Sequence, residues 1–251
     1  MPSAKGTAGR ASSGPHRDDG GLALDRLAAT EPDVRRSERA ALPPPPRAWL
    51  GSASALAALV VVVLGILYAG HSESGGVDRW LVDPTADSVR PPWRRLALAI
   101  DFWGEPVGAA MLVVVAVAGC LLVRRPRTAV LAVAGAGLTV GATTLLKPLV
   151  GRTIHDGHLS YPSGHTAFVT AVVLAVALCA AGRPGLGRTA GTFLVAGAAL
   201  VAGAAMGWAQ VSLGAHYPTD VLGGWCTALA VVPATAWLVD RVADARRPER
   251  R

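Results

Sequence analysis

Long uncharged runs dominate the pattern of apolar and polar residues along this chain. Six runs contain no Asp, Glu, Lys or Arg: 48–70, 106–123, 128–146, 164–182, 189–214 and 221–239. About 20 apolar residues cross the hydrocarbon core of a bilayer as a helix. A segment in lipid must satisfy its own backbone groups, and none of these runs alternates as a barrel strand does. The pattern therefore predicts an all-α fold, a bundle of six transmembrane helices.

Composition supports this prediction and narrows the possible partners. Hydrophobic residues make up 51% of the 251 residues and charged residues only 16%, well below the share in ordinary soluble proteins. The formal net charge of +7 suggests an anionic partner. A nucleic-acid-binding protein gathers its cations on a polar face, whereas here they separate apolar blocks. We therefore expect the lipid bilayer as partner, and no nucleic acid.

The two ends of the chain differ from its centre. Residues 1–46 are polar and end in four prolines, a composition that predicts a disordered tail. The first apolar run starts too late for a secretory signal and is long enough to remain as an anchor. We expect a membrane domain over 47–240, followed by a basic tail over 241–251.

Cations beside the apolar runs predict the orientation in a cell membrane. Arginines cluster in four segments: 35–47, 124–127, 183–188 and 241–251. If six helices cross the membrane, all four segments lie on one side, which the positive-inside rule makes cytoplasmic. Both termini are then cytoplasmic. The segment 71–105, the loop 147–163 and the stretch around His216 lie at the outer face.

The outer segment 71–105 has one distinctive part. Between Val89 and Trp103, arginines alternate with Trp, Leu and Ile. This mixture is typical of a helix lying in the headgroup layer, and also compatible with a solvated loop. Both interpretations stay open.

Two pairs of glycines bear on how the helices pack. Gly137 and Gly141, like Gly203 and Gly207, stand four residues apart within apolar runs. Such spacing permits close approach of helix backbones in a membrane. Chance also produces it in chains this rich in Gly and Ala, so the pattern is only weakly indicative.

Polar residues gather at three places where apolar runs begin or end. Lys147 and Arg152 follow the third run, Pro162-Ser163-Gly164-His165 opens the fourth, and His216-Tyr217-Pro218-Thr219-Asp220 precedes the sixth. Because successive helices alternate in direction, all three clusters are expected at the outer boundary. Ionisable groups near membrane depth are costly, which makes them functional candidates.

The first two clusters suit an anion such as phosphate. Lys147 and Arg152 supply positive charge, and the free amides of Gly164 and its neighbour at a helix start form an anion site beside the Ser163 hydroxyl. Phosphoryl transfer needs cations and oriented donors of this kind around the equatorial oxygens. Taken singly, a lysine or arginine at a helix end is often only an anchor, and a serine there is often only a helix cap.

The histidines suit the remaining chemistry. A neutral imidazole such as that of His216 can attack phosphorus, and Asp220, four residues later, is suited to orient the ring. His165, next to the anion site, is a candidate proton donor for the leaving oxygen. His216, His165 and Asp220 are therefore the candidate catalytic residues.

This ordered set resembles the type 2 phosphatidic acid phosphatase family, also called lipid phosphate phosphatases, which is related to bacterial acid phosphatases and vanadium haloperoxidases. The resemblance covers about residues 48 to 240, and Pro-Ser-Gly-His followed by His216-x-x-x-Asp220 is its most specific part. It implies a helical fold and removal of phosphate from lipid phosphates or diphosphates without metal or cofactor. It also implies His216 as nucleophile, Asp220 as its partner and His165 as general acid, with Lys147, Ser163 and Gly164 as phosphate ligands.

Two motifs depart from the family pattern. Where the first motif has Arg-Pro, this chain has Ile154 and His155, and Arg152, two places earlier, is the candidate replacement. Where the third motif has Ser-Arg, it has Ala209 and Gln210. Glutamine donates a hydrogen bond to phosphate but neither neutralises it nor binds it bidentately, so Gln210 is a weak candidate ligand.

Three alternatives remain. A metal-dependent hydrolase would use His155, His158 and His165, although no carboxylate stands at the spacing of an HExxH site, and loop histidines usually face water. A lipid-binding protein without activity is suggested by Ile154 and Gln210. A transporter is less favoured because no charge lies in mid-span. If the protein is an enzyme, polyprenyl phosphates and diphosphates, phosphatidic acid and phosphatidylglycerol phosphate all fit.

Overall fold

The computed structural model describes residues 40–42, 47–80, 90–155 and 157–246. Its long elements are the helices α1 (Arg47–Leu67), α2 (Trp93–Asp101), α3 (Pro106–Leu122), α4 (Pro126–Val150), α5 (Gly164–Ala181), α6 (Arg188–Ser212) and α7 (Pro218–Ala245). A two-stranded antiparallel ribbon of β1 (Thr153–Ile154) and β2 (His158–Leu159) joins α4 to α5. Most of the predicted N-terminal tail, residues 81–89 of the outer segment and the last five residues lie outside the described residues.

The predicted helical architecture is confirmed. Five helices, α1, α4, α5, α6 and α7, are long and apolar enough to cross a membrane. The sixth predicted span, 106–123, corresponds to α3, which has 17 residues. It follows α2 after a bend of 64°, and the pair counts as one further candidate span. The described residues therefore contain five or six candidate spans.

Local sequence explains where several helices begin and end. Proline occupies the first turn of α3, α4 and α7, where its missing N–H costs nothing because that group has no partner inside a helix. Gly151 ends α4 in the left-handed conformation, with φ of 65°, and its amide donates to the Lys147 carbonyl. The chain then turns directly into the ribbon.

Helix α5 is the central helix of the bundle. It packs against α4, α6 and α7, and most of its residues are buried, many of them alanines that allow close packing. Large apolar side chains instead face outward on the surrounding helices, as at Leu122 (84% exposed) and Leu149 (79% exposed). Such an apolar exterior is what a bilayer requires.

One of the two glycine pairs mediates helix packing. A Cβ on Gly203 would lie 2.2 Å from Cδ1 of Trp225, and one on Gly207 would lie 2.4 Å from Cγ1 of Val221. Helices α6 and α7 therefore approach each other closely at both glycines. A Cβ on Gly137 or Gly141 would have no neighbour within 4 Å among the described residues, so that pair makes no such contact.

A buried ion pair holds the ends of α4 and α7 that lie opposite the candidate site. Arg127 contacts Asp240 at 3.2 Å and Asp244 at 2.7 Å. Asp240 also accepts hydrogen bonds from the amides of Ala41 and Leu42, at 2.8 and 2.9 Å. Ala41 and Leu42 fall within the predicted disordered tail, yet both are buried against the bundle.

The C-terminal end of the membrane domain also differs from the prediction. Helix α7 continues to Ala245, past the expected start of the C-terminal tail at 241.

Replacing Asp240 with Asn should lower stability markedly. The change removes one charge of a buried pair and should cost about 3 kcal/mol of unfolding free energy. Asp244→Asn is the matched control, because Asp244 pairs with the same arginine but its side chain is 27% exposed. Loss of this more exposed pair should cost less than about 1 kcal/mol. Thermal unfolding in detergent measures both, and equal shifts would contradict the role given to Asp240.

Candidate active site

Lys147 lies in the last turn of α4, beside the ribbon. Its Nζ donates a hydrogen bond to the Leu159 carbonyl at 3.1 Å. An ammonium group carries three donors, so this bond leaves capacity for a ligand. The contact fixes the side chain at the end of the bundle where α5 and α7 begin.

Ser163 caps α5, as its position before a helix predicts. Its hydroxyl donates to Oγ1 of Thr166 at 3.1 Å and accepts from the Thr166 amide at 3.5 Å. The Ser163 amide donates to the Asp220 carbonyl at 2.9 Å. This bond joins the N-terminal cap of α5, next to Gly164, to the first turn of α7.

Tyr161 supports the same turn from below. Its hydroxyl is buried and donates to the Val61 carbonyl at 2.8 Å, and its ring lies against Gly223, where a Cβ would come within 2.4 Å of Cε2. Burial raises the pKa of the Tyr161 hydroxyl, so it stays protonated as a donor. The turn before α5 is thereby held between α1 and α7.

His216 and Asp220 stand together at the start of α7. Nδ1 of His216 lies 3.7 Å from Oδ2 of Asp220 and has no hydrogen-bond partner among the described residues. The same carboxylate oxygen accepts from the Tyr217 amide at 3.1 Å, and Asp220 is fully buried. The separation is longer than a hydrogen bond.

Arg152 lies in a different setting from the one expected. Its guanidinium is fully buried and donates to Oδ2 of Asp78 at 2.6 Å, Oγ1 of Thr219 at 2.6 Å and Oδ1 of Asp220 at 2.7 Å. It also stacks between the rings of Tyr68 and Tyr217, at 4.1 and 4.6 Å. Expected as a phosphate ligand, Arg152 instead joins protein groups to one another. Sequence reasoning missed Asp78. Its only signal in the sequence is its position as an acidic residue soon after the first apolar run.

A second acidic group that the sequence reading missed surrounds His165. Nε2 of His165 lies 3.4 Å from Oε1 of Glu105 and 3.7 Å from Oδ1 of Asp101. The backbone at Gly104 touches the ring, because a Cβ there would come within 2.1 Å of Cδ2. Helix α2, expected either as an interfacial helix or as a loop, is thus a helix whose last residue reaches the site.

Gln210 lies at the end of α6 and contacts this acidic group. Its side-chain amide donates to Oδ1 of Asp101, and Gln210 is 2% exposed. The sequence predicts it as a weak phosphate ligand. In the structure its side-chain amide instead donates to this carboxylate and to Sδ of Met206.

The three histidines of the metal hypothesis do not form a cluster. His155 contacts the Gly214 carbonyl through Nε2 at 2.8 Å, and His158 belongs to β2. Within the described part of the chain, the group able to hold a metal ion consists of Asp101, Glu105 and His165, whose ligand atoms lie within 4.8 Å of one another. A metal there would therefore use carboxylates that the sequence reading did not consider.

Comparisons with known proteins support the helical membrane fold and the resemblance to the type 2 phosphatidic acid phosphatase family. The family model of the PAP2 superfamily matches residues 107–244. The fold is similar to that of a solved structure described as the first transmembrane PAP2 type phosphatidylglycerolphosphate phosphatase from Bacillus subtilis, with a TM-score of 0.61 and 20% identity, covering 78% of this chain and 98% of that one. No curated protein sequence matches.

Fold and site thus define a multi-pass helical membrane protein with a histidine and aspartate pair at one end of its bundle. The chain belongs to the PAP2 superfamily. The matched region contains every residue of the three motifs, whereas Asp78, Asp101 and Glu105 precede it.

Gly224→Ala should loosen the joint between α5 and α7. A Cβ there would come within 2.3 Å of the Ser163 carbonyl oxygen, a backbone atom that cannot move aside cheaply. Overpacking of this kind should cost about 1–3 kcal/mol. Gly137→Ala is the control, since nothing lies within 4 Å of its Cβ position. Thermal unfolding in detergent compares them, and an unchanged melting temperature for Gly224→Ala would contradict the close joint.

Proposed function

We propose that this protein is an integral membrane lipid phosphatase that hydrolyses a phosphomonoester or diphosphate at the outer face of the cell membrane. The observation that carries the proposal is the bond from the Ser163 amide to the Asp220 carbonyl, 2.9 Å long. It brings the turn at 162–165, the proposed anion site, against helix α7, which begins beside His216 and carries Asp220. The chain belongs to the PAP2 superfamily. Lipid phosphates and diphosphates, including the polyprenyl and phosphatidic acid types, are the proposed substrates.

Attack on phosphorus is assigned to His216. A ring nitrogen forms a bond to phosphorus as the bond to the lipid oxygen breaks, which gives a phosphohistidine intermediate. Asp220, 3.7 Å from Nδ1, orients the ring for this attack. Water then hydrolyses the intermediate and releases phosphate.

Proton transfer is assigned to His165. The protonated ring gives its proton to the departing lipid oxygen, and the neutral ring later accepts one from the attacking water. Glu105 and Asp101 have carboxylate oxygens 3.4 and 3.7 Å from Nε2, where their charge would stabilise the protonated ring. This assignment uses neither a metal nor a cofactor.

The transferring phosphoryl group is assigned to three ligands. Lys147 offers its remaining ammonium protons, and the Gly164 amide is one of the free amides at the start of α5. The Ser163 hydroxyl, which donates to Oγ1 of Thr166 in the structure, would turn to donate to the phosphate. Arg152 is left out of this set because its side chain is fully buried in other contacts. Gln210 is left out because its side-chain amide donates to both Asp101 and Sδ of Met206.

Phosphate release in detergent micelles tests the proposal. Purified protein is given a panel of lipid phosphates and diphosphates with EDTA present, and we expect release that chelation does not abolish. His216→Ala and His165→Ala should each lower turnover by at least about 10³-fold, because each removes a group that takes part in bond making or proton transfer. The exposed His158 provides the control, and His158→Ala should keep turnover close to wild type.

Two outcomes would count against it. If wild type released no more phosphate than His216→Ala from any substrate, the protein would be a lipid-binding member of the superfamily without activity, the alternative suggested by Ile154 and Gln210. If EDTA alone removed the activity, the group of Asp101, Glu105 and His165 would become the candidate metal site.

Gly104→Ala should impair turnover without weakening substrate binding. The added Cβ would come within 2.1 Å of the His165 ring and must displace it. A displacement of about 1 Å of a catalytic group costs up to about 100-fold in rate. Gly119→Ala, where no atom lies within 4 Å, is the matched control. Initial rates against substrate concentration separate kcat from KM, and a normal kcat for Gly104→Ala would exclude His165 from the proton transfer.

A further inference from the structure

We infer that Asp78 is a positioning residue for the catalytic pair, acting through Arg152 to set the net charge beside His216. The inference rests on the proposed function, because it concerns the attack by that histidine. Asp78 lies outside the region that the family model matches. Its contacts with Arg152 and α7 assign it to the site.

The Asp78 carboxylate accepts four hydrogen bonds. It is fully buried, and its Oδ1 accepts from the Thr219 amide at 3.0 Å and the Thr219 hydroxyl at 2.8 Å. Its Oδ2 accepts from Arg152 at 2.6 Å and from the Gly75 amide at 3.1 Å. Two of these four hydrogen bonds join the segment after α1 to Thr219 in the first turn of α7, next to Asp220. A third joins it to Arg152, and the fourth, from Gly75, lies within the segment.

The charges of this cluster do not cancel. Arg152 carries one positive charge, and Asp78 and Asp220 carry one negative charge each when ionised, with both carboxylates bonded to the same guanidinium. The sum over these three fully buried side chains is one negative charge. Lys147, the other cation of the site, is assigned to the phosphoryl group and is not part of this cluster. Such a buried negative charge acts over short distances with little screening. His216, 3.7 Å from Asp220, is the adjacent catalytic group that meets it.

Phosphoryl transfer creates the charge that this cluster matches. When one ring nitrogen bonds to phosphorus and the other keeps its proton, the ring becomes positive. The electron pair of the broken phosphorus–oxygen bond leaves with the lipid oxygen, which takes the proton of His165. A net negative cluster stabilises the positive ring as it develops, more than it stabilises the neutral ring of the free enzyme. Without Asp78, Arg152 would neutralise Asp220 and the stabilisation would be lost.

Asp78→Asn tests this directly, because it keeps the shape and removes the charge. We expect kcat to fall about 10- to 100-fold, as for outer partners of catalytic ligands, with KM unchanged because Asp78 touches no substrate. Asp240→Asn is the matched control: it also removes a buried carboxylate that binds an arginine and two backbone amides. That variant should lose stability and keep its kcat.

The double variant Asp78→Asn with Arg152→Gln separates charge from structure. It returns the net charge of the cluster to minus one, so turnover should rise above that of Asp78→Asn alone, although one more ionic contact is lost. A purely structural role predicts the opposite, a further fall. If the double variant does not fold, Asp78→Asn still decides: a normal kcat, or a loss confined to KM, overturns the inference. In either case an active wild type beside an inactive His216→Ala leaves the proposed function intact.

Discussion

The site depends on one buried cation. Arg152 extends from the end of α4 and binds Asp78 after α1 and two residues of the first turn of α7, so three distant segments meet at one guanidinium. Its planar fork serves several acceptors at once, which a lysine would not. Removing one member of such a buried set costs about 3–5 kcal/mol, because the remaining charges stay desolvated without a partner. Arg152 therefore contributes to holding these three segments together, and with them Asp220 beside His216.

The plan of the molecule could be predicted because it depends on one-dimensional properties. Length and apolarity of the runs indicate helices, and the alternation of helix direction indicates which ends lie together. The bond between Ser163 and Asp220, and the bond between Arg152 and Thr219, confirm that all three polar clusters meet at one end of the bundle. Neither conclusion required knowledge of which side chain touches which.

Other features could not be predicted because they depend on contacts between distant residues. Asp78 is 74 positions from Arg152, and Asp101 is 109 positions from Gln210. No local pattern signals such pairs. Spacing placed Arg152 near the motif but did not reveal that its side chain is buried. Composition indicated a disordered tail through residue 46. In the structure the backbone amides of Ala41 and Leu42 donate to the Asp240 carboxylate, which holds both residues against the bundle.

Gln210 stands where the family pattern has arginine, and its side-chain amide donates to Asp101. An arginine at this position would face Asp101, which lies 3.7 Å from Nε2 of His165. An arginine would form a salt bridge with that carboxylate and offset its charge. Glutamine donates to Asp101 without cancelling its charge. The structure therefore has a neutral donor on Asp101, whose Oδ1 lies 3.7 Å from Nε2 of His165.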